Sequence, residues 1–273
     1  MHKDIDEVEF TIFDTETTGL NWQAGDRIVE IAGLRFKGQE KISTFSSLVD
    51  PGYPVSEAAF AVNKITPQML RTAESPKEVI PRFLEFIRGS CLCSYNAEFD
   101  LGFLDNELQL ISLSRPGDMV VFDVLTMARR LMPGLNRYAL WFVAEKLGVR
   151  SKQEHRALSD VQMTWEVFDR LKIVCQAKGI TDFSGFSGLF AFNPGLLESS
   201  NEQKASKVME CIDLKATLKI RYISTQNAQV TERQVIPKEI RQDRGHKYLV
   251  GYCCLKKEER VFRLDNILSL EIA

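Results

Sequence analysis

From Val8 to Val174 the apolar residues switch between a two-residue and a helical spacing several times, and that alternation limits the folds open to the chain. V-E-F-T-I-F-D at Val8–Asp14 reads as a strand, and Arg27–Phe36 and Lys41–Val49 read as two more, rich in Ile, Val and Phe. Gly19, Gly25, Gly38, Pro51 and Gly52 punctuate them. Ser75 stands as the cap of a helix predicted over Pro76–Arg88, with Val79, Ile80, Phe83, Leu84 and Ile87 on one face. A short buried strand follows at Cys91–Tyr95, then a helix at Glu98–Leu110 and a strand at Val120–Phe122. Further helices are predicted at Val124–Leu131 and Tyr138–Leu147. In Ala157–Val174, Leu158, Val161, Trp165, Phe168 and Leu171 recur at helical spacing and mark a core-facing stripe. Three adjacent strands followed by alternating helices and strands imply an α/β domain with a mixed sheet, over residues 1–178.

The pattern then changes. G-I-T-D-F-S-G-F-S-G-L-F and N-P-G, with Ser199, Ser200 and Asn201, read as a connector over 179–203, and its phenylalanines imply that it packs on a domain. After a helix at Glu202–Leu214, strand patterns dominate: Leu218–Ser224, Gln229–Pro237, Lys247–Cys254, Arg260–Arg263 and Ile267–Ile272. Asp243-Arg244-Gly245 marks a hairpin turn between two of them. Residues 204–273 therefore read as a small, mostly β module.

Several classes of protein are disfavoured. No stretch approaches the roughly 18 uninterrupted apolar residues of a membrane span. Met1–Glu9 is charged and lacks the apolar core of a signal peptide, so the expected location is the cytoplasm, with no membrane partner. The six cysteines form no C-x-x-C pair and read as reduced thiols. The net charge of −2 is unevenly spread: residues 204–273 hold 14 lysines and arginines against nine acids, or +5, which leaves −7 on residues 1–203.

Within the first domain the carboxylates carry the chemistry. Asp14 and Glu16 sit in F-D-T-E-T-T-G, and residues i and i+2 of a strand face the same side. Two carboxylates so close repel unless a cation lies between them, and hard oxygen ligands suit Mg²⁺ or Mn²⁺. Taken alone the pair equally describes solvated acids at a strand end. Asp100, in S-Y-N-A-E-F-D, falls in the first turn of a helix, where an acid also favours the helix terminus. His155 and Asp160 lie in H-R-A-L-S-D, the histidine before a helix and the aspartate in its first turns. Histidine is the side chain whose unperturbed pKa lies nearest neutrality, which makes His155 the candidate general base. His2 and His246 have no such company and read as ordinary surface residues.

F-D-T-E-T-T-G, Y-N-A-E-F-D and H-R-A-L-S-D resemble, in order and spacing, the three motifs of the DEDDh, DnaQ-like exonucleases, over about residues 6–175. The resemblance implies an RNase H-like fold and two-metal 3′→5′ hydrolysis that releases nucleoside 5′-monophosphates. It implies Asp14, Glu16, Asp100 and Asp160 as ligands of two divalent cations, with His155 as the base. Thr17, Thr18 and Leu20 resemble the segment that holds the 3′-terminal nucleotide, and Asn96 and Phe103 resemble parts of the same cleft. Where the family often has histidine before the asparagine of the second motif, Tyr95 stands here, and altered packing rather than lost activity is expected. Asp123 resembles a common family acid but reads as the N-cap of the next helix. The implied partner is nucleic acid with a free 3′ end, DNA in preference to RNA.

Residues 218–271 resemble a second family. I-R-Y-I-S, R-Q-V-I-P-K-E-I, K-Y-L-V-G-Y-C and R-V-F-R-L-D-N-I are similar to the WYL domain, an Sm-like β-barrel, with Lys247-Tyr248-Leu249 at the tripeptide that names it. The resemblance implies a module that binds nucleic acid or a small regulatory ligand, through Arg221, Tyr248, Arg260 and Arg263. Two alternatives remain at this stage: a catalytically inert nucleic-acid-binding scaffold, and a proofreading subunit of a DNA polymerase. F-S-G-L-F near Gly188 is too loose a match to a clamp-binding peptide to favour the second.

Overall fold

The computed structural model describes residues 3–149, 153–192 and 194–273. Its first sheet has the order β3-β2-β1-β4-β5. The strands are β1 (Glu9–Thr17), β2 (Ile28–Lys37), β3 (Glu40–Leu48), β4 (Cys91–Ser94) and β5 (Val121–Asp123). β1, β2 and β3 form an antiparallel meander, and β4 and β5 continue the sheet in parallel, as the mixed pattern requires. β1 lies in the middle and is covered on both faces, which is why none of its residues is exposed although only Phe10, Ile12 and Phe13 are apolar. Phe10 and Ile12 pack with Phe36, Phe122 and Phe168 on one side, and Phe13 packs with Ile31, Val79 and Phe83 on the other.

The helices supply the two outer layers. α1 (Glu57–Asn63) and α2 (Pro67–Leu70) follow the meander, and neither is among the elements expected from sequence. α3 (Pro76–Phe86) begins with the Ser75–Glu78 capping box and a proline in its first turn, both sequence-readable start signals. α4 (Ala97–Leu110) leaves β4 through Asn96, which adopts a left-handed conformation with φ 73°. α5 (Val124–Leu131) starts at Asp123, whose side chain accepts from the Leu125 amide, so the N-cap reading of that acid is the observed one. α6 (Leu140–Lys146) and α7 (Ala157–Ala177) complete the layer over Phe10 and Phe36. Among the described residues no helix is long and apolar enough to cross a membrane.

Segment 179–201 is helical rather than irregular. α8 (Phe183–Phe190) sets Phe186 and Phe190 into the first core, with Phe186 5.0 Å from Phe122 between ring centroids. Burial of these rings overrides the Gly and Ser content that reads as a connector. α9 (Pro194–Asp213) begins eight residues ahead of the expected Glu202 and runs unbroken into the second unit. That unit is a five-stranded antiparallel sheet in the order β10-β6-β7-β8-β9. Its strands are β6 (Leu218–Ile223), β7 (Val230–Asp243), β8 (His246–Cys253), β9 (Glu258–Arg263) and β10 (Ile267–Ile272). Val208 and Cys211 of α9 close its core against Leu218, Val235, Leu249 and Phe262. The β7–β8 hairpin turns on Arg244 and Gly245, both at positive φ, as the D-R-G signal implies. β7 passes through Pro237 with a bulge beside it. Among the described residues the edge strands β9 and β10 do not pair, so the sheet is open and the closed barrel expected from sequence is not formed.

Candidate active site

β1 carries the first two acids. It extends to Thr17, so Asp14 and Glu16 lie within the strand rather than beyond its end, opposite Ala32 and Glu30 of β2. Being two apart they share a face. Asp160, in the first turn of α7, meets them there, and one carboxylate oxygen from each of Asp14, Glu16 and Asp160 lies within 4.8 Å of the others. Asp100, in the first turn of α4, is buried beside this trio and turned toward β1 and β4. Its Oδ1 accepts from the Thr15 amide at 3.0 Å and the Thr15 hydroxyl at 2.7 Å, and its Oδ2 accepts from Ser94.

This crowding shows in the electrostatics. Burial, followed by the charges of Asp100, Asp160, Glu16 and Glu30, holds the Asp14 carboxyl well above its usual range. Burial and the charges of Asp160 and Glu30 push Glu16 up to about 8. Burial raises Asp100 to about 6 against the opposing pull of Ser94 and Thr15. Asp160 is also raised by burial, with Gln153 and His155 favouring its charged form. Gln153 donates to Asp160 Oδ2 at 2.7 Å, whereas Oδ1 is buried with no hydrogen-bond partner. An orphaned oxygen beside two further carboxylates is a donor set that a hard cation satisfies.

His155 sits on the segment that enters α7, exposed, with φ 52°. The next residue is anchored: Arg156 reaches across to Glu30 with Nε at 3.0 Å and Nη2 at 2.7 Å, and the Ala157 amide donates to the same carboxylate at 3.0 Å. Glu30 is thus a buried acid, 4% exposed, that ties α7 to β2 next to Glu16. Sequence reasoning missed it, although a glutamate inside I-V-E-I-A was the available signal.

A cleft of about 360 Å³ opens beside Glu16, lined by Thr15, Thr17, Leu20, Ala59, Val62 and Phe99 among others. Leu20 stands at its rim, 83% exposed. α1 forms the facing wall, held by Ser56, whose amide donates to Thr18 O at 3.0 Å, and by Asn63, whose Nδ2 donates to Thr17 O at 3.3 Å. Thr17 and Leu20 therefore reach the cleft, while Thr18 is fully buried and its hydroxyl closes the turn to Asp26 and Arg27. Phe103 is also fully buried in the core behind α4; Phe99, one turn earlier, takes the cleft position assigned to it. Asn96 is at the head of α4, where its amide donates to Asp123 Oδ1 at 3.0 Å. Tyr95 packs against the first core and donates its hydroxyl to Tyr138 O at 2.7 Å.

In the second unit Tyr248 and Arg263 are cross-strand neighbours, but the arginines named with them are mostly committed elsewhere. Arg221 donates to the carbonyls of Lys178 and Gly179 across the joint between the units. Arg263 chelates Asp265 and lies 3.2 Å from His246 Nδ1. Arg260 is exposed and pairs with Glu258 at 2.7 Å.

The exonuclease family model matches residues 11–168 and the WYL domain model matches residues 203–272. Over 178 residues the chain is 34% identical to a DNA polymerase III PolC-type of Caldanaerobacter subterraneus subsp. tengcongensis, covering 65% of this chain and 12% of that protein. Over 183 residues it is 37% identical to a DNA polymerase III subunit epsilon-like protein of Rhodobacter capsulatus, covering 66% of this chain and 26% of that one. The match thus spans 12% and 26% of these relatives' own length. Among solved structures, a zinc-bound E. coli ExoI–ssDNA complex matches at TM-score 0.56 and 16% identity, over 98% of this chain and 65% of that chain. The nuclease domain of 3′hExo, a DEDDh family member bound to rAMP, matches at TM-score 0.56 and 18% identity, over 66% of this chain and 97% of that one. At these identities the two structures share the fold.

Proposed function

Because the chain belongs to the exonuclease family and holds the four acids and the histidine of its DEDDh group, we propose that it hydrolyses nucleic acid from the 3′ end, DNA in preference to RNA, and releases nucleoside 5′-monophosphates. The observation that carries this reading is the meeting of Asp14, Glu16 and Asp160 within 4.8 Å, with Asp100 alongside and one Asp160 oxygen orphaned. Asp14, Glu16, Asp100 and Asp160 would hold two divalent cations, Mg²⁺ or Mn²⁺. When bound, such cations supply positive charge to a scissile phosphate and acidify a coordinated water. His155 would accept the proton of the attacking water, its exposed place at the head of α7 leaving it free to approach substrate. Thr17, Leu20, Val62 and Phe99 would receive the terminal nucleoside, the apolar side chains against the base and the threonine at its polar edge. Thr18 and Asn96 would shape that cleft through the backbone.

The second unit, residues 204–273, is read as an accessory module of Sm-like descent that binds nucleic acid or a small ligand. Tyr248 and Arg260 keep exposed surface for that role, while Arg221 and Arg263 would have to leave their present partners. The test of the main reading is a digestion panel with 3′- and 5′-labelled single- and double-stranded DNA and RNA, with Mg²⁺, Mn²⁺ or chelator. Loss of the 3′ label first, with mononucleotide products and only with metal, supports it; digestion in excess chelator or from the 5′ end sinks it. A proofreading role is the second reading, favoured by the 34% and 37% identities to polymerase III proteins. Co-purification with a polymerase decides it. The inert scaffold is disfavoured, since a site free of catalytic demand would have no reason to keep three mutually repelling carboxylates together.

A further inference from the structure

Beyond the acidic cleft, α6 carries an exposed face that the core does not use. Leu140, Val143 and Ala144 bury one side of this helix, while Trp141 on the other is 45% exposed. Its ring stands edge-on to Phe142, with centroids 5.6 Å apart. Cations flank both rings. The Arg137 guanidinium lies 5.6 Å from the Trp141 ring and 5.7 Å from that of Phe142, and Lys146 Nζ lies 5.0 Å from the Phe142 ring. Among the described residues Arg137 has no carboxylate partner, and Lys146 approaches only the exposed Glu145, at 3.7 Å.

The position of this face matters as much as its composition. Tyr138, immediately before α6, accepts the Tyr95 hydroxyl, and Tyr95 adjoins Asn96 at the head of the Asp100 helix. After α6 the chain leads to Gln153, which holds Asp160, and then to His155. In chain order the helix therefore lies between Tyr138, which is bonded to the second acidic segment, and Gln153, which holds Asp160 of the third. A protein-docking patch would ring the tryptophan with aliphatic groups; here the exposed residues of the helix besides Trp141 are Glu145 and Lys146, and Arg137 just before it lies over the ring.

We propose that this face of α6 is a second nucleic-acid contact, on which Trp141 stacks a base and Arg137 and Lys146 hold neighbouring phosphates of a single strand whose 3′ end lies in the cleft. Every base has a π-face, so stacking suits an enzyme that must accept any sequence, and the two cations complement the polyanion. They also provide local positive charge on a domain that is acidic in sum. This inference rests on the exonuclease reading above and adds a place where the strand is gripped upstream of its end.

The test compares Trp141→Ala, Trp141→Phe and Arg137→Ala with wild type in the full chain. Substrates are a short oligonucleotide that reaches only the cleft and a longer single strand. Trp141→Ala should raise KM on the longer strand about five- to a hundredfold, the loss of one stacked base, with kcat and the short substrate unaffected. Trp141→Phe should recover much of that loss. Arg137→Ala should lower the salt slope of long-strand binding by about 0.7. An unchanged KM in Trp141→Ala, or an equal rise on short and long substrates, would overturn the proposal. Should wild type digest nothing, the exonuclease reading fails by itself. Tryptophan emission titrated with the longer strand then decides the inference: quenching that vanishes in Trp141→Phe supports it, and no difference between the two proteins overturns it.

Discussion

Asp14 and Glu16 are held in a state that water alone does not favour, and this makes single substitutions there informative. Asp14→Ala should abolish metal-dependent digestion without lowering the melting temperature of the metal-free protein at pH 8, because the charge removed is a repelled one. A variant that unfolds, or that still digests, contradicts this. The sign of the pH effect follows from the same crowding. Glu16 titrates at about 8 in the fold against an ordinary 4.5, and Asp14 is likewise raised, so the folded state binds these protons more tightly than the unfolded chain. The stability that Glu16 contributes is complete below the ordinary carboxylate value and is lost as pH rises through about 8, and that of Asp14 is lost in the same direction. Divalent cations replace the protons, so Mg²⁺ or Mn²⁺ should raise Tm more at pH 8 than at pH 5; an equal gain at both would refute the linkage. His155→Ala should lower kcat about 10²–10⁴-fold while cation binding, followed calorimetrically, is retained. That Asp14, Glu16 and Asp160 meet was legible because they sit in short segments at fixed spacing. Phe99 and Glu30 were not legible: Phe99 and Phe103 share one face of α4 a turn apart, and spacing alone does not say which turn is buried and which meets the cleft, while Glu30 matters through a partner 126 residues away.

At the scale of elements, α7 carries one half of the site and Glu30 anchors its start to β2. Glu30→Ala would leave the Ala157 amide without an acceptor and Arg156 without its bidentate partner. We expect a loss of about 2–3 kcal/mol in stability together with a fall in kcat, since His155 and Asp160 both hang on that helix end. Denaturant unfolding and kinetics check it; a variant within about 0.5 kcal/mol of wild type, the usual range for surface changes, would deny the clamp. Trp22 supplies a second joint of this kind, since a Cβ at Gly102 would lie 2.3 Å from its indole Nε1, so α4 approaches the turn after β1 only because that position is glycine. Long periodic elements such as α3, α4 and α7 were legible from spacing and caps. α1 and α8 were hidden because each is short and earns its helix from tertiary contacts, α1 against the Thr17–Thr18 backbone and α8 against Phe122 and Phe168.

In the whole molecule the two sheets are not separate bodies on a tether. Ile223 of β6 is buried in the first core, with Val230 and Leu268 packed against it. Arg130 of α5 crosses to the turn before β10, donating to Asn266 Oδ1 at 3.1 Å and pairing with Asp265 at 3.3 Å. Asp265 in turn holds Arg263, and Lys204 of α9 donates to Leu264 O at 3.1 Å while burial lowers its pKa to about 8. Arg130→Ala should therefore speed amide exchange in residues 264–272 while leaving β1 and β4 protected; unchanged exchange there would mean that Arg130 does not hold the joint. The second sheet was legible from the strand pattern that begins at Leu218, but the shared core was not, because no local signal marks which surface residues of one sheet will meet the other.

The placement of α8 bears on how such chains can be recombined. Phe186, Leu189 and Phe190 fill the first core, whereas α9 belongs to the second. A graft that replaces everything after residue 178 would strip three large side chains from beneath the nuclease sheet, and one cut at 203 would sever α9 midway. A cassette exchanged after Phe192 keeps both cores whole, and a donor module would still need an apolar residue at the place of Ile223 to seal against its new host.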